Sequence, residues 1–396
     1  MMTQKRLLSW VVLLVLFGTA LSFSAETELG APIATSGEGK LYQVGDIRVA
    51  VLQGTYYEMG QQYGALLADD IETASGMISQ AFKHLGQERA ENGKKLVQLQ
   101  LDYYPKRFHD LIRGIADGSG LSVEEVAFVD HAISFMAALT RGVFCSSVTT
   151  WGDYTTDGQL IMGRNFDYPV LYKKFASHLC LVVFNPIDGC VPTALFGYAG
   201  QINSVQAFNS AGLVLELNVA IGLSGPDNDV HPDRITMPLL LTQLAFDSMT
   251  MAQLDAGLKT MRTNYPLLNT VADVNTACTY EMGTRDTVKR EIDCDGLNTV
   301  SNFPSDPHWG KIMLGDNRRK NLQTLANRNK GKIDFATMKE IIGTKEKEGG
   351  AMVESEIIIA TLYQFVFEPK TKRVAFRLPD LTKNWTEIDL NQFFAE

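Results

Sequence analysis

The chain has little positive charge to concentrate. Its 36 Lys and Arg are outnumbered by 45 Asp and Glu, giving a net charge of -9, and the basic residues occur only as scattered pairs. Collecting phosphates needs clustered cations that displace counterions, so the composition argues against nucleic acid as a partner. HExxH and CxxC are both missing, which removes sequence support for a zinc site, and no cofactor is implied. There is no internal repeat and no low-complexity tract. The rest is an ordinary globular composition, 45% hydrophobic and 20% charged over 396 residues, enough for two lobes or one elaborate domain. Beyond residue 23 no window is apolar for the ~20 residues that a membrane helix needs, so a mature form without stable membrane association is expected.

What is present begins with a targeting pattern. Lys5 and Arg6 precede an apolar run from Leu7 to Phe23, and the small residues Ser22, Ser24 and Ala25 follow. This predicts a signal peptide over 1–25 and a periplasmic or secreted protein; a membrane anchor is the weaker alternative because the run is short. Five cysteines, Cys145, Cys180, Cys190, Cys278 and Cys294, leave one thiol unpaired in an oxidising compartment. Cys180 and Cys190 flank one turn, and Cys278 and Cys294 flank a hairpin. Each pair reads equally as a disulfide or as two buried thiols.

Lys40 to Val51 reads as a strand region. Met59, Tyr63, Leu66, Leu67, Ile71, Ala74, Ile78 and Phe82 then recur at helical spacing. Ser122 and Glu125 form a capping box ahead of the apolar run Val126 to Leu139, so 57–140 is expected to be mostly helical. At Cys145 the texture changes. A strand, the turn Thr156-Asp157-Gly158 and a second strand predict a β-hairpin opening at Cys145. Further strands are expected at Leu179 to Phe184, Leu213 to Val219, Ala360 to Phe367 and Arg373 to Leu378, with helices at Met237 to Met261 and Arg318 to Ala326. The fold class is therefore α+β.

None of the six histidines lies in a catalytic motif. Cys145 offers another solution: a chain cut between Phe144 and Cys145 carries a thiol and a free α-amine on one residue, and the amine serves as its own base. Their reference pKa values, about 8.5 and about 8, differ little, so modest tuning brings proton transfer near neutral pH. Arg164 and Asp167, after the hairpin's second strand, return close to Cys145; a cation there favours thiolate and a carboxylate holds the amine.

The segment "FCSSVTTWGDYTTDGQLIMGRNFDYP" resembles the opening of the N-terminal nucleophile (Ntn) hydrolases that act on linear amides, among them choloylglycine hydrolases and isopenicillin N acyltransferase. The G-R-N-x-D element of that superfamily is matched by Arg164 and Asp167. "FNSAGLVLELNVA" is similar to the strand whose Asn contributes to the oxyanion hole, which falls on Asn218. "NTVSNFPSD" resembles the T-N-x-P motif and carries Asn302. "GDNRRKNL" resembles the helix start bearing a second active-site Arg, taken as Arg318 rather than Arg319, with Asn317 where the family more often shows Ser. Ahead of Cys145, "QGTYYEMGQQYGALLADDI" resembles the G-x-x-x-E-x-G-x-x-x-G segment of isopenicillin N acyltransferase-like cysteine peptidases, a family related to bile salt hydrolases and acid ceramidase.

The resemblance implies a four-layer αββα sandwich, with 26–144 as a mainly helical pro-segment that becomes an α subunit and 145–396 as the catalytic β subunit. It implies a self-processing cysteine amidohydrolase acting on an acylated amine or N-acyl amino acid, with its own N-terminal fragment and a small-molecule amide as partners. Acyl transfer to an amine is the alternative chemistry, and an uncleaved exported binding protein is the alternative of another class. The blander readings are a structural thiol at Cys145, a surface ion pair of Arg164 with Asp167, strand-end or turn roles for Asn218 and Asn302, and a solvated Arg318.

Overall fold

A computed structural model describes residues 29–85, 87–140, 144–310 and 317–395; the expected signal peptide lies outside them. Three strands open the chain, β1 (Ala34–Ser36), β2 (Gly39–Val44) and β3 (Ile47–Gly54), followed by five helices. These are α1 (Tyr56–Leu66), α2 (Ala68–Leu85), α3 (Gln87–Asp102), α4 (Lys106–Ser119) and α5 (Val123–Thr140).

The glycine motif noted ahead of Cys145 has a packing cause. Gly60 and Gly64 of α1 face Gly114 and Gly118 of α4. A methyl group on Gly60 would stand 2.3 Å from the Leu111 carbonyl oxygen, and one on Gly114 would stand 2.2 Å from that of Tyr57. Only hydrogen at these positions lets the two helix backbones touch. The glutamate of the motif caps α1: Thr55 N–H donates to the Glu58 carboxylate at 2.8 Å, and Glu58 N–H donates to the Thr55 hydroxyl at 3.3 Å.

The hairpin expected at Cys145 is β4 (Phe144–Gly152) and β5 (Gly158–Pro169). Next come β6 (Leu179–Pro186), β7 (Thr193–Tyr198), β8 (Gln206–Asn209), β9 (Val214–Val219), α6 (Met237–Asp247) and α7 (Met251–Thr260). The helix read over Met237 to Met261 is thus two. Ser248 has an extended backbone, and Thr250 starts a new helix through a capping box with Gln253. The chain continues with β10 (Leu267–Ala272), β11 (Ala277–Met282), β12 (Thr287–Arg290), β13 (Leu297–Val300), α8 (Arg318–Arg328) and α9 (Phe335–Gly343). It closes with β14 (Ile359–Glu368), β15 (Arg373–Arg377) and β16 (Thr386–Asp389).

Two sheets result, one ordered β1-β2-β3-β6-β7-β8-β9-β10-β11-β12 and the other β13-β4-β5-β14-β15-β16. Strand alternation gives each face its own partner. Phe365 and Phe376 of the smaller sheet meet Phe208 and Phe196 of the larger, the last pair stacked at 4.0 Å between ring centroids. The intervening Val366 and Ala375 face α9 with Ile342 and Met338. On the other side, Phe184 of β6 meets Tyr63 of α1 and Phe246 of α6. The order is helix, sheet, sheet, helix: an α+β sandwich of four layers. The segment ahead of Cys145 is more than a helical appendage, because β3 pairs in parallel with β6 and extends the larger sheet by three strands. All five cysteines are free thiols.

Candidate active site

Antiparallel pairing of β4 with β5 sets Cys145 opposite Phe166, Phe144 opposite Asp167 and Ser147 opposite Arg164. The Cys145 side chain points between the sheets, where the residue is 1% exposed. The Arg164 guanidinium lies close enough for its charge to act on the thiol. Burial pushes the thiol up from its ordinary range, and the Arg164 charge opposes that rise.

Arg164 is fully buried, and every branch of its guanidinium is held. Nη1 donates to the Val205 carbonyl at 2.7 Å and to Gln206 Oε1 at 2.9 Å. Nη2 donates to the Leu217 carbonyl at 2.5 Å and to Asn218 Oδ1 at 3.2 Å. Nε lies 2.8 Å from Glu216 Oε2 in an ion pair with no exposure on either side chain, and Ser147 donates its hydroxyl to the other oxygen of Glu216 at 2.5 Å. Burial works against the Arg164 charge, but Glu216 and the thiol outweigh it and leave the guanidinium more basic than usual. This is a fixed cation behind the sulfur.

A second ion pair lies on the backbone side of Cys145. Arg318, at the start of α8, donates from Nη1 to Asp167 Oδ2 at 2.7 Å and from Nη2 to Asn302 Oδ1 at 3.2 Å. Asn302 Oδ1 also accepts the Cys145 backbone N–H at 2.6 Å. The Thr361 hydroxyl of β14 donates to Asp167 Oδ1 at 2.6 Å, brought there by a bulge in the β14–β5 pairing between Thr361 and Tyr363. Burial pushes the Asp167 carboxyl up to about 6, against the pull of Arg318, Thr361 and Arg164. Arg319, the alternative to Arg318, turns away and pairs with Asp293 at 2.5 Å.

The structure therefore gathers Cys145, Arg164, Asp167, Asn218, Asn302 and Arg318 around one point between the sheets. Their individual settings differ. Asn302 is bound to the nitrogen of Cys145, whereas Asn218 touches Arg164 and sends its Nδ2 toward the Ser301 carbonyl at 3.4 Å. The ring of Phe144, the residue ahead of the thiol, lies 5.3 Å from the Arg318 guanidinium carbon. Among the described residues no group of three His, Cys, Asp or Glu is placed to hold a metal ion.

Sequence reasoning missed Glu216, Gln206 and Thr361. A signal existed for Glu216: it is the one charge in the apolar run "LVLELNV" and stands two residues from Asn218, on the same strand face. Thr361 had none, since a bulge aims it.

No family model matches the chain. An uncharacterized protein of Archaeoglobus fulgidus is 25% identical over 274 residues, which are 60% of this chain and 42% of that protein; the chain thus spans under half of that relative's length. Among solved structures, a mutant conjugated bile acid hydrolase from Clostridium perfringens superimposes with a TM-score of 0.45 at 12% identity, covering 63% of this chain and 93% of that one. A penicillin V acylase from Agrobacterium tumefaciens gives 0.45 at 14% identity, over 63% and 87% of the two chains. An N-acylethanolamine-hydrolyzing acid amidase ortholog from Caenorhabditis elegans gives 0.42 at 17% identity, over 57% and 93%.

Proposed function

We propose that this protein is an amide hydrolase of the N-terminal nucleophile type that first cuts its own Phe144-Cys145 bond. One observation carries the reading. The Cys145 backbone nitrogen is held by Asn302, which binds Arg318 and through it Asp167, while the charge of Arg164, fixed in a second buried network, acts on the thiol. A structural thiol needs neither.

In self-processing, the Cys145 sulfur attacks the Phe144 carbonyl carbon and the C–N bond breaks. The product is a thioester from Phe144 to Cys145 and a free amine on Cys145. Water adds to the thioester, releasing the Phe144 carboxylate and regenerating the thiol. In turnover the Cys145 amine, held by Asn302, takes the thiol proton as the sulfur attacks a substrate amide, then passes it to the departing amine. Water discharges the acyl thioester as a carboxylic acid. Arg164 stabilises negative charge on sulfur, and the side-chain amide of Asn218 serves the oxyanion once it turns from Ser301 toward the substrate.

Denaturing electrophoresis with intact-mass measurement tests this. Purified wild-type protein should resolve into two chains whose junction maps to Phe144-Cys145, and Cys145→Ala should stay whole. A wild-type protein that remains one uncut chain after prolonged incubation rules the proposal out. Release of an amine from a panel of N-acyl amines then reports turnover.

A further inference from the structure

The loop between β7 and β8 supplies the Val205 carbonyl, and the start of β8 the Gln206 side chain, that hold Arg164 Nη1, yet the groups that hold much of this loop come from the segment ahead of Cys145. Asp130, on α5, is fully buried. Its Oδ1 accepts the backbone N–H of Ile202 at 2.7 Å and of Asn203 at 2.8 Å. Its Oδ2 accepts the Tyr104 hydroxyl at 2.7 Å and the Asn203 side-chain amide. The Asn203 Oδ1 in turn accepts the Thr236 hydroxyl. Two further grips come from the same segment. The Tyr63 hydroxyl accepts from Gly200 N–H at 2.8 Å, and the Val129 carbonyl accepts from the Gln201 side chain at 3.1 Å.

A buried carboxylate is a costly way to fasten a loop unless several donors converge on it. Four do so here, and two are consecutive backbone N–H groups that only a fixed acceptor can hold together. The loop they fix reaches Arg164 two residues later.

We propose that Asp130 is a positioning residue of the active site: it lets the N-terminal fragment hold the 199–205 loop so that Arg164 stays against the Cys145 sulfur. The N-terminal fragment then remains a working part of the enzyme after the cut. The idea rests on Cys145 being the nucleophile.

The test is the rate of iodoacetamide alkylation at Cys145, read from the mass of the Cys145 peptide across a pH series, in processed wild type, Asp130→Asn and Asp130→Asn/Asn203→Asp. In Asp130→Asn the new amide opposes the Asn203 amide, two donors facing each other. We expect alkylation at neutral pH to slow about tenfold and its midpoint to rise by about one pH unit, the size expected when a cation moves away from a thiol. The double variant restores one donor and one acceptor across the same contact and should recover to within about threefold of wild type. An Asp130→Asn profile that matches wild type, or a lowered melting temperature with an unchanged profile, overturns the proposal and leaves the nucleophile assignment standing. If Cys145 of wild type shows no enhanced reactivity over a denatured control, the nucleophile assignment itself fails. Should Asp130→Asn not fold, Tyr104→Phe removes a single donor and keeps the ring stacked on His131. A smaller shift in the same direction is then expected, and no shift overturns the proposal.

Discussion

Cys145 lies between two Arg–carboxylate pairs that look alike in composition and differ in how firmly they are held. Arg164 and Glu216, behind the sulfur, are both unexposed, and the guanidinium is also gripped by two backbone carbonyls and two side-chain amide oxygens. Arg318 and Asp167, beside the nitrogen, are almost as buried, yet burial leaves the Asp167 carboxyl at about 6, within reach of a physiological proton. The thiol side is a fixed field, whereas the nitrogen side can change its charge. In the proposed mechanism the nucleophile keeps a constant cation near it, while the amine that would accept and return protons lies beside the group that titrates.

Breaking the fixed side should cost the most stability. Glu216→Gln leaves the Arg164 charge buried without its counter-charge, a change that destabilises by about 3–5 kcal/mol where such pairs have been broken. Measured as a urea midpoint in a Cys145→Ala background, so that cleavage does not intervene, the loss should clearly exceed that from Asp167→Asn. If the two variants lose equal stability, the contrast drawn above is wrong.

Asp167→Asn should show the reverse balance. Because burial raises the Asp167 carboxyl to about 6 in the folded protein, folding disfavours its charged form, so neutralising it should cost little stability. Processing should nevertheless slow on the order of a hundredfold, as when one preorganised electrostatic group is removed. Quantifying the uncut chain over time by gel gives the rate.

The same carboxyl sets a pH dependence of smaller size. Above about 6 Asp167 is charged and holds Arg318, which in turn holds Asn302; below it the proton releases that chain. Processing should therefore slow as pH falls from 7 toward 5, by up to about tenfold per unit below the midpoint. Asp167→Asn should lose the inflection near 6 and keep only the rise at higher pH that belongs to the thiol. An inflection that survives in Asp167→Asn would assign it to another group.

How much of this was readable in the sequence follows from contact range. The Cys145 hairpin, Arg164 and Asp167 lie on two strands joined by one turn, and antiparallel pairing carries their spacing directly into contact. Asn218, Asn302 and Arg318 come from strands and helices far along the chain, and only the resemblance to a known motif set marked them; nothing local predicts that Asn302 should meet the Cys145 nitrogen. Thr361 was invisible because a bulge aims it. The strands β10 and β13 escaped because they are short and buried on both faces, so no alternation of apolar and polar residues marks them. The split at Ser248 was hidden by the apolar pattern on both sides of it.

The smallest effect is expected at Arg319, and its smallness is informative. Neighbouring residues on a helix point about 100° apart, so Arg318 and Arg319 cannot both enter the site. Arg318 is 2% exposed and turned inward to Asp167, while Arg319 pairs with Asp293, which also accepts the Thr299 backbone N–H at 2.6 Å. Arg319 thus ties α8 to the strand β13 without touching Cys145 or its partners. Arg319→Gln should cost about 1 kcal/mol of stability and change the processing rate less than about twofold. Arg318→Gln, in the same gel assay, should slow it as strongly as Asp167→Asn. If the two arginine variants exchange these outcomes, α8 is rotated by one residue relative to the arrangement described, and the nitrogen of Cys145 is held by a different cation.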